Sequence, residues 1–323
     1  MKVIHLVLSN VFAGIEQHVD ELSIFQETSC NVTVMCNDSI ADKFNNKHVI
    51  SFSNFNRRSP IGLLRLALKL KKLDADIIHT HGSKTTEIVN FIKKFIKLNH
   101  VCTVHGIKKN TQAYEKADIA ITVSNLAKNS LKTKSVVVKN WWSPALPDNI
   151  QNGKKFILAV GRLEAVKGFD LLIKSWKDIN QSLVIVGSGN DRRKLDDLIE
   201  LNRLEDKISI IDEVSPDKLL DYYKNAALLV ISSRKEGGPR VALEALHLKI
   251  PVISTMVGHM ADILPLELLA KPDNEESLTK LIRSYVDGKT MNQDSIFRYV
   301  NEEYSLTAQG NKILKVYKDL LVS

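Results

Sequence analysis

Short runs of β-branched and other apolar residues alternate with longer helical patterns along the whole of this 323-residue chain. In the first half the runs are Val3–Leu8, Asn31–Met35, Ile77–His81, Val101–His105, Ile119–Ser124 and Ser135–Lys139. In the second half they are Phe156–Gly161, Leu183–Gly187, Ile208–Ile211, Leu228–Ser232 and Pro251–Ser254. A strand with one solvated face alternates apolar and polar residues, so continuous runs predict strands buried on both faces. Helices between such strands predict right-handed βαβ units and parallel sheets. Each half carries enough runs for one doubly wound domain, so the expected fold class is α/β with two Rossmann-like domains.

The joint between the halves is read at residues 142–155, WSPALPDNIQNGKK, where prolines, Asp, Asn and Gly replace apolar periodicity. The expected units are therefore 1–148 and 149–304. The last stretch, 305–323, sets Leu306, Ile313, Leu314, Tyr317, Leu320 and Leu321 at the spacing of an amphipathic helix.

An apolar fraction of 44% and a charged fraction of 25% exclude a disordered chain, a collagen-like repeat and a disulfide scaffold. The net charge of +8 is uneven: residues 1–150 hold 20 Lys and Arg against 12 Asp and Glu, and the remainder balances. Two segments carry much of this excess. In Ile61–Leu73, Arg65, Lys69 and Lys72 share one helical face and Leu63, Leu66, Leu70 and Leu73 another. In Ile88–Asn99, Lys93, Lys94 and Lys97 oppose Phe91, Ile92, Phe95 and Ile96. Packed helices with solvated lysines are the plain reading. The functional one is contact with an anionic membrane surface or a phosphorylated acceptor. Neither a recognition motif nor an aromatic platform points to nucleic acid. Cys30, Cys36 and Cys102 show no metal spacing and suit a reduced, cytoplasmic chain. The apolar run in Met1–Leu8 is too short for a signal peptide, and no stretch is long enough to span a bilayer.

Three segments of the second half carry chemistry. Gly161-Arg162-Leu163-Glu164-Ala165-Val166-Lys167-Gly168 follows an apolar strand. Arg162 offers a planar fork for phosphate oxygens and Lys167 a point charge, so one loop can set two cations on one anion. A solvated basic loop would look the same. Val184–Gly189 ends in Gly187-Ser188-Gly189, which permits a tight turn. Arg192 stands where a dinucleotide fingerprint needs its third glycine, so this reads as an ordinary strand-to-helix turn. Glu236-Gly237-Gly238-Pro239-Arg240-Val241 opens a helix after a strand, and Glu244 lies inside it. A helix start presents free N–H groups and a positive dipole end to an anion. Gly237 and Gly238 let a ligand reach the main chain, and Pro239 suits the first helical turn. Glu236 and Glu244 can accept hydrogen bonds from two sets of sugar hydroxyls.

In the first half, His79-Thr80-His81-Gly82 and Thr103-Val104-His105-Gly106 each end a strand. His-x-His sets two rings on one side, which invites a metal. No third ligand stands nearby in sequence, so structural histidines and no metal are expected. Asp74-Ala75-Asp76 reads as a turn.

Taken together, these segments resemble the retaining GT-B-fold glycosyltransferases of family 4, bacterial enzymes of the lipopolysaccharide and capsule type. The resemblance covers nearly the whole chain and is strongest over residues 156–265. There stand the Gly-Arg-Leu-x-x-x-Lys-Gly of 161–168, the Glu236 and Glu244 pair, the Leu183–Gly189 turn, and Pro251–Thr255 with Gly258 beyond. It implies two domains facing a cleft, with the terminal helix crossing back to the first. Arg162 and Lys167 would hold the donor diphosphate, Glu244 the ribose, and Glu236 the transferred sugar. The main chain from Gly237 through Gly238, Pro239 and Arg240 to Val241 would contact sugar and phosphate. Val214 falls at the base-contacting turn. Gly14, in Ala13-Gly14-Ile15-Glu16, falls where the backbone approaches the donor phosphate, although Ala13 replaces the first glycine. His105 matches the recurrent histidine that contacts the donor sugar and supports charge at the anomeric carbon. His259 and Asp262 depart from the family's usual glycine and glutamate. The implied catalytic set is His105, Arg162, Lys167 and Glu236, with no metal or other cofactor.

The expected function is retaining transfer of a sugar from a nucleotide-diphosphate sugar to an anionic glycolipid or glycan acceptor, such as a lipopolysaccharide core. The expected setting is the cytoplasm, with peripheral contact at the inner membrane face. The alternatives are a nucleotide-sugar epimerase or hydrolase on the same fold, and a non-catalytic nucleotide-sugar-binding subunit. A nicotinamide dehydrogenase is weakened by the broken glycine fingerprint.

Overall fold

Each apolar run named above forms a strand in the computed structural model, which describes residues 1–106, 110–151, 153–289 and 292–322. The chain divides into two units. One is Met1–Lys139 with the chain from Leu306 onward, and the other is Asn140–Ser305.

The first unit holds β1 (Lys2–Val7), β2 (Asn31–Cys36), β3 (Val49–Ser51), β4 (Ile77–His81), β5 (His100–Val104), β6 (Ile119–Thr122) and β7 (Ser135–Val137). They form one parallel sheet in the order β3-β2-β1-β4-β5-β6-β7. Register explains what each face buries. Ile4 lies beside Ile78, and His5 beside His79. Ile4, Leu6, Leu8 and Ile78 pack with Leu66, Leu70 and Ile88 from the helices Pro60–Leu73 and Ser83–Ile92. Burying one such leucine contributes about 1.5–3 kcal/mol. Successive strand residues point to opposite faces, so His5, His79 and His81 turn the other way. That face is covered by Gly14–Gln26 and by the last helix, Leu306–Val322.

The second unit holds β8 (Phe156–Val160), β9 (Leu183–Val186), β10 (Ile208–Ile211), β11 (Ala226–Ile231), β12 (Val252–Thr255) and β13 (Leu269–Ala270). They too form one parallel sheet, in the order β10-β9-β8-β11-β12-β13. Its core joins Ile157, Leu158, Ile185, Leu229 and Ile253 of the strands to Leu172, Trp176, Leu195 and Leu246 of the helices. This is the α/β, doubly wound architecture that the run pattern predicts.

Three features differ from the sequence reading. The edge strands β3 and β13 are absent from it, because three and two residues make no apolar run. The division by contacts falls at Lys139/Asn140 rather than at 148/149. Residues 140–147 pack into the second unit: Trp142 stacks on His247 with ring centroids 3.8 Å apart, and its main-chain N–H donates to the Tyr304 carbonyl. The segment 88–99 is not one helix. The helix ends at Ile92, and Lys93, Lys94 and Lys97 lie in the turns and loop beyond it. Lys93 pairs with Asp118, while Phe91 and Phe95 are exposed instead of buried. Asp74 closes the helix Pro60–Leu73 in a left-handed conformation, the turn expected there. Among the described residues no helix is long and apolar enough to cross a membrane.

Candidate donor loops and a buried histidine network

The strand order of the second sheet reverses between β8 and β11. In open parallel sheets that reversal, at the carboxyl ends of the strands, is where ligands bind. The loop after β8 carries Arg162 and Lys167, and the loop after β11 carries Glu236. The Lys167 ammonium donates to the Glu236 carboxylate, with side chains 18% and 16% exposed. Ser233 Oγ donates to the same carboxylate at 3.0 Å. Arg162 is well exposed and donates to Glu164 at 2.7 Å.

Two glycines bring the loops after β8, β9 and β11 together. Gly168 has φ +67°, and a Cβ there would stand 2.2 Å from the Ser232 carbonyl oxygen. A Cβ on Gly187 would stand 1.9 Å from the Gly161 carbonyl oxygen. Any side chain at either position collides with main chain. Ser232 Oγ donates to the Lys167 carbonyl at 2.9 Å, which ties the two loops further.

Arg234 clamps the same loops. It grips both carboxylate oxygens of Asp170 at 2.7 and 2.8 Å, donates to the Ala165 carbonyl at 2.7 Å, and reaches Asp273 at 2.6 Å. Burial alone would raise the Asp170 carboxyl, but the Arg234 hydrogen bonds and charge outweigh it and hold it below its ordinary range. A two-pronged grip of this kind is the strong form of a charged hydrogen bond.

Arg162 and Val214 meet in one cavity of about 210 Å³, lined also by Gly161, Gly187, Ser188, Glu213 and Leu219. The Glu213 N–H donates to Ser188 Oγ at 3.0 Å. Gly237 and Gly238 are half-buried and lead into the helix Arg240–His247. Pro239 stands just before its first residue rather than within its first turn, because its extended ψ of 112° is not helical. Val241 is the second residue of that helix, and Ala245 and Leu246 are fully buried beside the half-buried Glu244. Tyr223 donates its hydroxyl to Glu244 at 2.9 Å. His259 is buried against Gly238 and edge-on to Tyr304.

In the first unit, Gly14 is the first residue of the helix Gly14–Gln26, exposed, with open space where a Cβ would stand. Glu16 accepts from the Ala13 N–H at 2.9 Å and from Ser9 Oγ at 2.5 Å. His105 follows β5 and joins a network the sequence does not announce. His81 Nδ1 and His105 Nε2 are 3.2 Å apart, His5 Nδ1 and His81 Nε2 3.0 Å, and His5 Nε2 lies 2.8 Å from Gln26 Oε1. His79 lies 2.5 Å from the Tyr317 hydroxyl and 2.7 Å from Thr103 Oγ1. His18 is edge-on to His105 at 4.7 Å. Burial lowers His5 to about 4. Burial and the neighbouring imidazoles hold His79 and His81 well below the ordinary value.

The view that His79 and His81 lack a third partner is therefore corrected. The triads His5, His79, His81 and His18, His81, His105 each gather ligand atoms within 4.8 Å. In the first triad both ring nitrogens of every member are already in hydrogen bonds, so the set is built as a hydrogen-bond network.

Neither Arg234, Tyr223, Gln26 nor His5 stood out in sequence, and Tyr317 did so only as part of an amphipathic helix. Each acts by holding another residue, and such roles have no spacing signature.

Residues 147–298 match the family model described as Glycosyl transferases group 1, and residues 12–140 the one described as Glycosyltransferase Family 4. With two Rossmann-like units, these matches define the class: the chain belongs to the GT-B-type glycosyltransferases. It is 28% identical over 269 residues to an uncharacterized glycosyltransferase of Methanocaldococcus jannaschii, covering 76% of each chain. Further curated relatives are covered over 64, 52 and 49% of their own lengths. Among solved structures, Anabaena HepE in complex with UDP aligns with a TM-score of 0.86 at 13% identity, over 99% of this chain and 100% of that one. The lipopolysaccharide outer core galactosyltransferase WaaB aligns with a TM-score of 0.82 at 19% identity, over 97 and 98%.

Proposed function

We propose that the protein is a retaining glycosyltransferase that moves a sugar from a nucleoside-diphosphate sugar to an anionic glycolipid, of the lipopolysaccharide-core kind. We place its work in the cytoplasm, against the inner membrane face. The observation that carries the donor half is the Lys167–Glu236 pair at the reversal point of the second sheet. A donor diphosphate there meets Lys167, Arg162 and the start of the helix Arg240–His247. All three interactions strengthen as negative charge gathers on the leaving group. Glu236 then faces the transferred sugar, and Glu244, held by Tyr223, takes the ribose. The cavity at Val214 takes the base. The main chain at Gly14 and from Gly237 to Val241 contacts phosphate and sugar, and His105 supports charge at the anomeric carbon. The UDP bound by the Anabaena neighbour supports a nucleoside diphosphate as ligand class.

In the step itself, the bond from the anomeric carbon to the diphosphate oxygen breaks. A bond to the acceptor oxygen forms on the same face. The acceptor proton passes to the departing phosphate oxygen, so no separate side-chain base is needed. Arg162, Lys167 and the helix start supply the positive charge that a divalent ion supplies elsewhere, which supports a metal-independent reaction.

The first unit supports the anionic acceptor. The helix Pro60–Leu73 turns Ile61, Leu64 and Leu68 outward, at 74, 61 and 59% exposure. A groove of about 940 Å³ beside it is lined by apolar side chains including Leu64, Phe91 and Phe95, with Arg58 and with Arg57 paired to Glu87. Exposed apolar side chains among cations suit an anionic amphiphile. The test is incubation with a panel of nucleotide sugars and a lipopolysaccharide-core acceptor, followed by NMR of the product's anomeric configuration. Transfer with the donor's configuration kept is expected. Inversion, or donor hydrolysis without transfer, overturns the reading.

A further inference from the structure

We propose that Gln26 is a positioning residue that sets the tautomer of His105 through two intervening imidazoles. An amide oxygen only accepts, so His5 Nε2 carries the proton and donates to Gln26 Oε1 at 2.8 Å. A neutral imidazole has one proton, so His5 Nδ1 is an acceptor, and it takes the hydrogen bond of His81 Nε2 at 3.0 Å. His81 Nδ1 is then an acceptor in turn, and His105 Nε2 donates to it at 3.2 Å. The burial of His5 and His81, at 0 and 2% exposure, disfavours a second proton on either ring. The direction chosen at Gln26 is thus passed to His105 without loss.

The other end of the amide agrees. Gln26 Nε2 faces the Tyr317 hydroxyl at 3.5 Å. That oxygen then donates to His79 Nδ1 at 2.5 Å, and His79 Nε2 donates to Thr103 Oγ1 at 2.7 Å. Turning the amide over reverses every bond and moves His5, His79, His81 and His105 to the Nδ1–H form. Free histidine prefers Nε2–H, so the arrangement in the structure is the one that the imidazoles themselves favour.

The consequence is that neutral His105 carries its proton on Nε2 and has an accepting Nδ1. Any sugar or acceptor hydroxyl that reaches this nitrogen meets an acceptor of hydrogen, not a donor. This rests on the reading of His105 as a contact to the reacting sugar, whereas the tautomer itself does not.

The test is two-bond proton–nitrogen NMR of the full chain labelled with 15N-histidine, without ligand, near neutral pH. His5, His81 and His105 are expected in the Nε2–H form. Gln26→Leu removes the terminal acceptor and should bring Nδ1–H signal to His105, with turnover down at least about tenfold and donor KM little changed. Gln26→Glu retains an acceptor and should restore both readouts. An Nδ1–H His105 in the unsubstituted protein, or a Gln26→Leu spectrum with unaltered tautomers, overturns the proposal. Altered tautomers with unaltered turnover overturn the role of His105 in transfer while leaving the relay standing. If Gln26→Leu fails to fold, the spectrum of the unsubstituted protein still decides.

Discussion

Lys167 and Glu236, 69 residues apart, hold each other at the carboxyl end of the second sheet. Each is the other's counter-ion, so on the proposed reading a donor diphosphate shares the Lys167 ammonium with Glu236 or draws it away. Lys167→Ala should lower kcat/KM by about 100- to 1,000-fold, the range for losing one preorganised group that stabilises developing charge. Arg162→Ala should act in the same direction, with circular dichroism unchanged for both. A double-mutant cycle between Lys167→Ala and Glu236→Gln should give strongly non-additive donor binding, because the two groups are in contact. Additive effects would show that the pair is not disturbed by the donor.

Arg234 touches no proposed substrate atom, yet it grips Asp170, Asp273 and the Ala165 carbonyl. Arg234→Met should cost roughly 1.5–3 kcal/mol of stability, the range for a hydrogen-bonded charged pair. Asp170 has a folded carboxyl lowered beneath its unfolded value. Its contribution is therefore present above the ordinary aspartate range and lost as pH falls through the folded value. Denaturant unfolding of the variant at neutral pH checks the magnitude. A stability loss under about 0.5 kcal/mol would reduce Arg234 to a surface charge.

The first unit should be acid-labile in a defined window. His5 is lowered to about 4, and His79 and His81 lie well below their ordinary value. The unfolded histidines titrate near 6.5, so below that pH the unfolded chain binds more protons than the folded one. The stability they leave intact is complete above about 6.5 and falls as pH drops toward about 4, by up to about 1.4 kcal/mol per pH unit for each histidine. Thermal midpoints at pH 7.5, 6.5 and 5.5 should show little change over the first step and a clear fall over the second. A flat profile would mean that these rings are protonated in the fold.

Binding to anionic vesicles should depend on apolar side chains as well as charge. Leu64→Ser and Phe95→Ser each remove a side chain whose full burial contributes about 1.5–3 kcal/mol, so each should weaken binding roughly tenfold. Neutralising Arg57 and Arg58 should steepen the loss at physiological salt and matter less at high salt. Cosedimentation with phosphatidylglycerol and phosphatidylcholine vesicles provides the measurement. Equal binding to both lipids, or indifference to the serine substitutions, would remove the groove from the acceptor side.

If Arg162, Lys167 and the helix start carry the compensating charge as proposed, purified protein treated with a chelator should retain transfer. Activity lost to chelation and restored by a divalent ion would contradict metal independence.

What the sequence made legible follows from where its information lies. Strands buried on both faces leave continuous apolar runs, so Val3–Leu8 and Leu228–Ser232 were plain, whereas Val49–Ser51 and Leu269–Ala270 left nothing to read. Arg162, Lys167 and Glu236 stood out in loops that follow apolar strands, and Glu244 as a glutamate inside a helix next to the apolar Ala245 and Leu246. The helical period over 88–99 misled because Phe91 and Phe95 suit a buried face equally well, whereas Phe91 lies on the exposed side of the helix and Phe95 lies past its end at Ile92. The histidine network was hidden for a different reason. His5 lies within β1, His81 ends β4, His105 follows β5 and His18 stands in the helix Gly14–Gln26, and only the register of β1 against β4 and of β4 against β5 brings them side by side.

The contact of Gly187 with the Gly161 carbonyl has one more consequence. The two turns beneath the Val214 cavity touch through main chain alone, so part of that cavity's floor has no side chain to vary. Drift in the letters of the sequence cannot reshape it. Only a change in the path of the backbone can. A mutational scan of this chain should therefore show Gly187 as a silent-looking letter at which even alanine is lost.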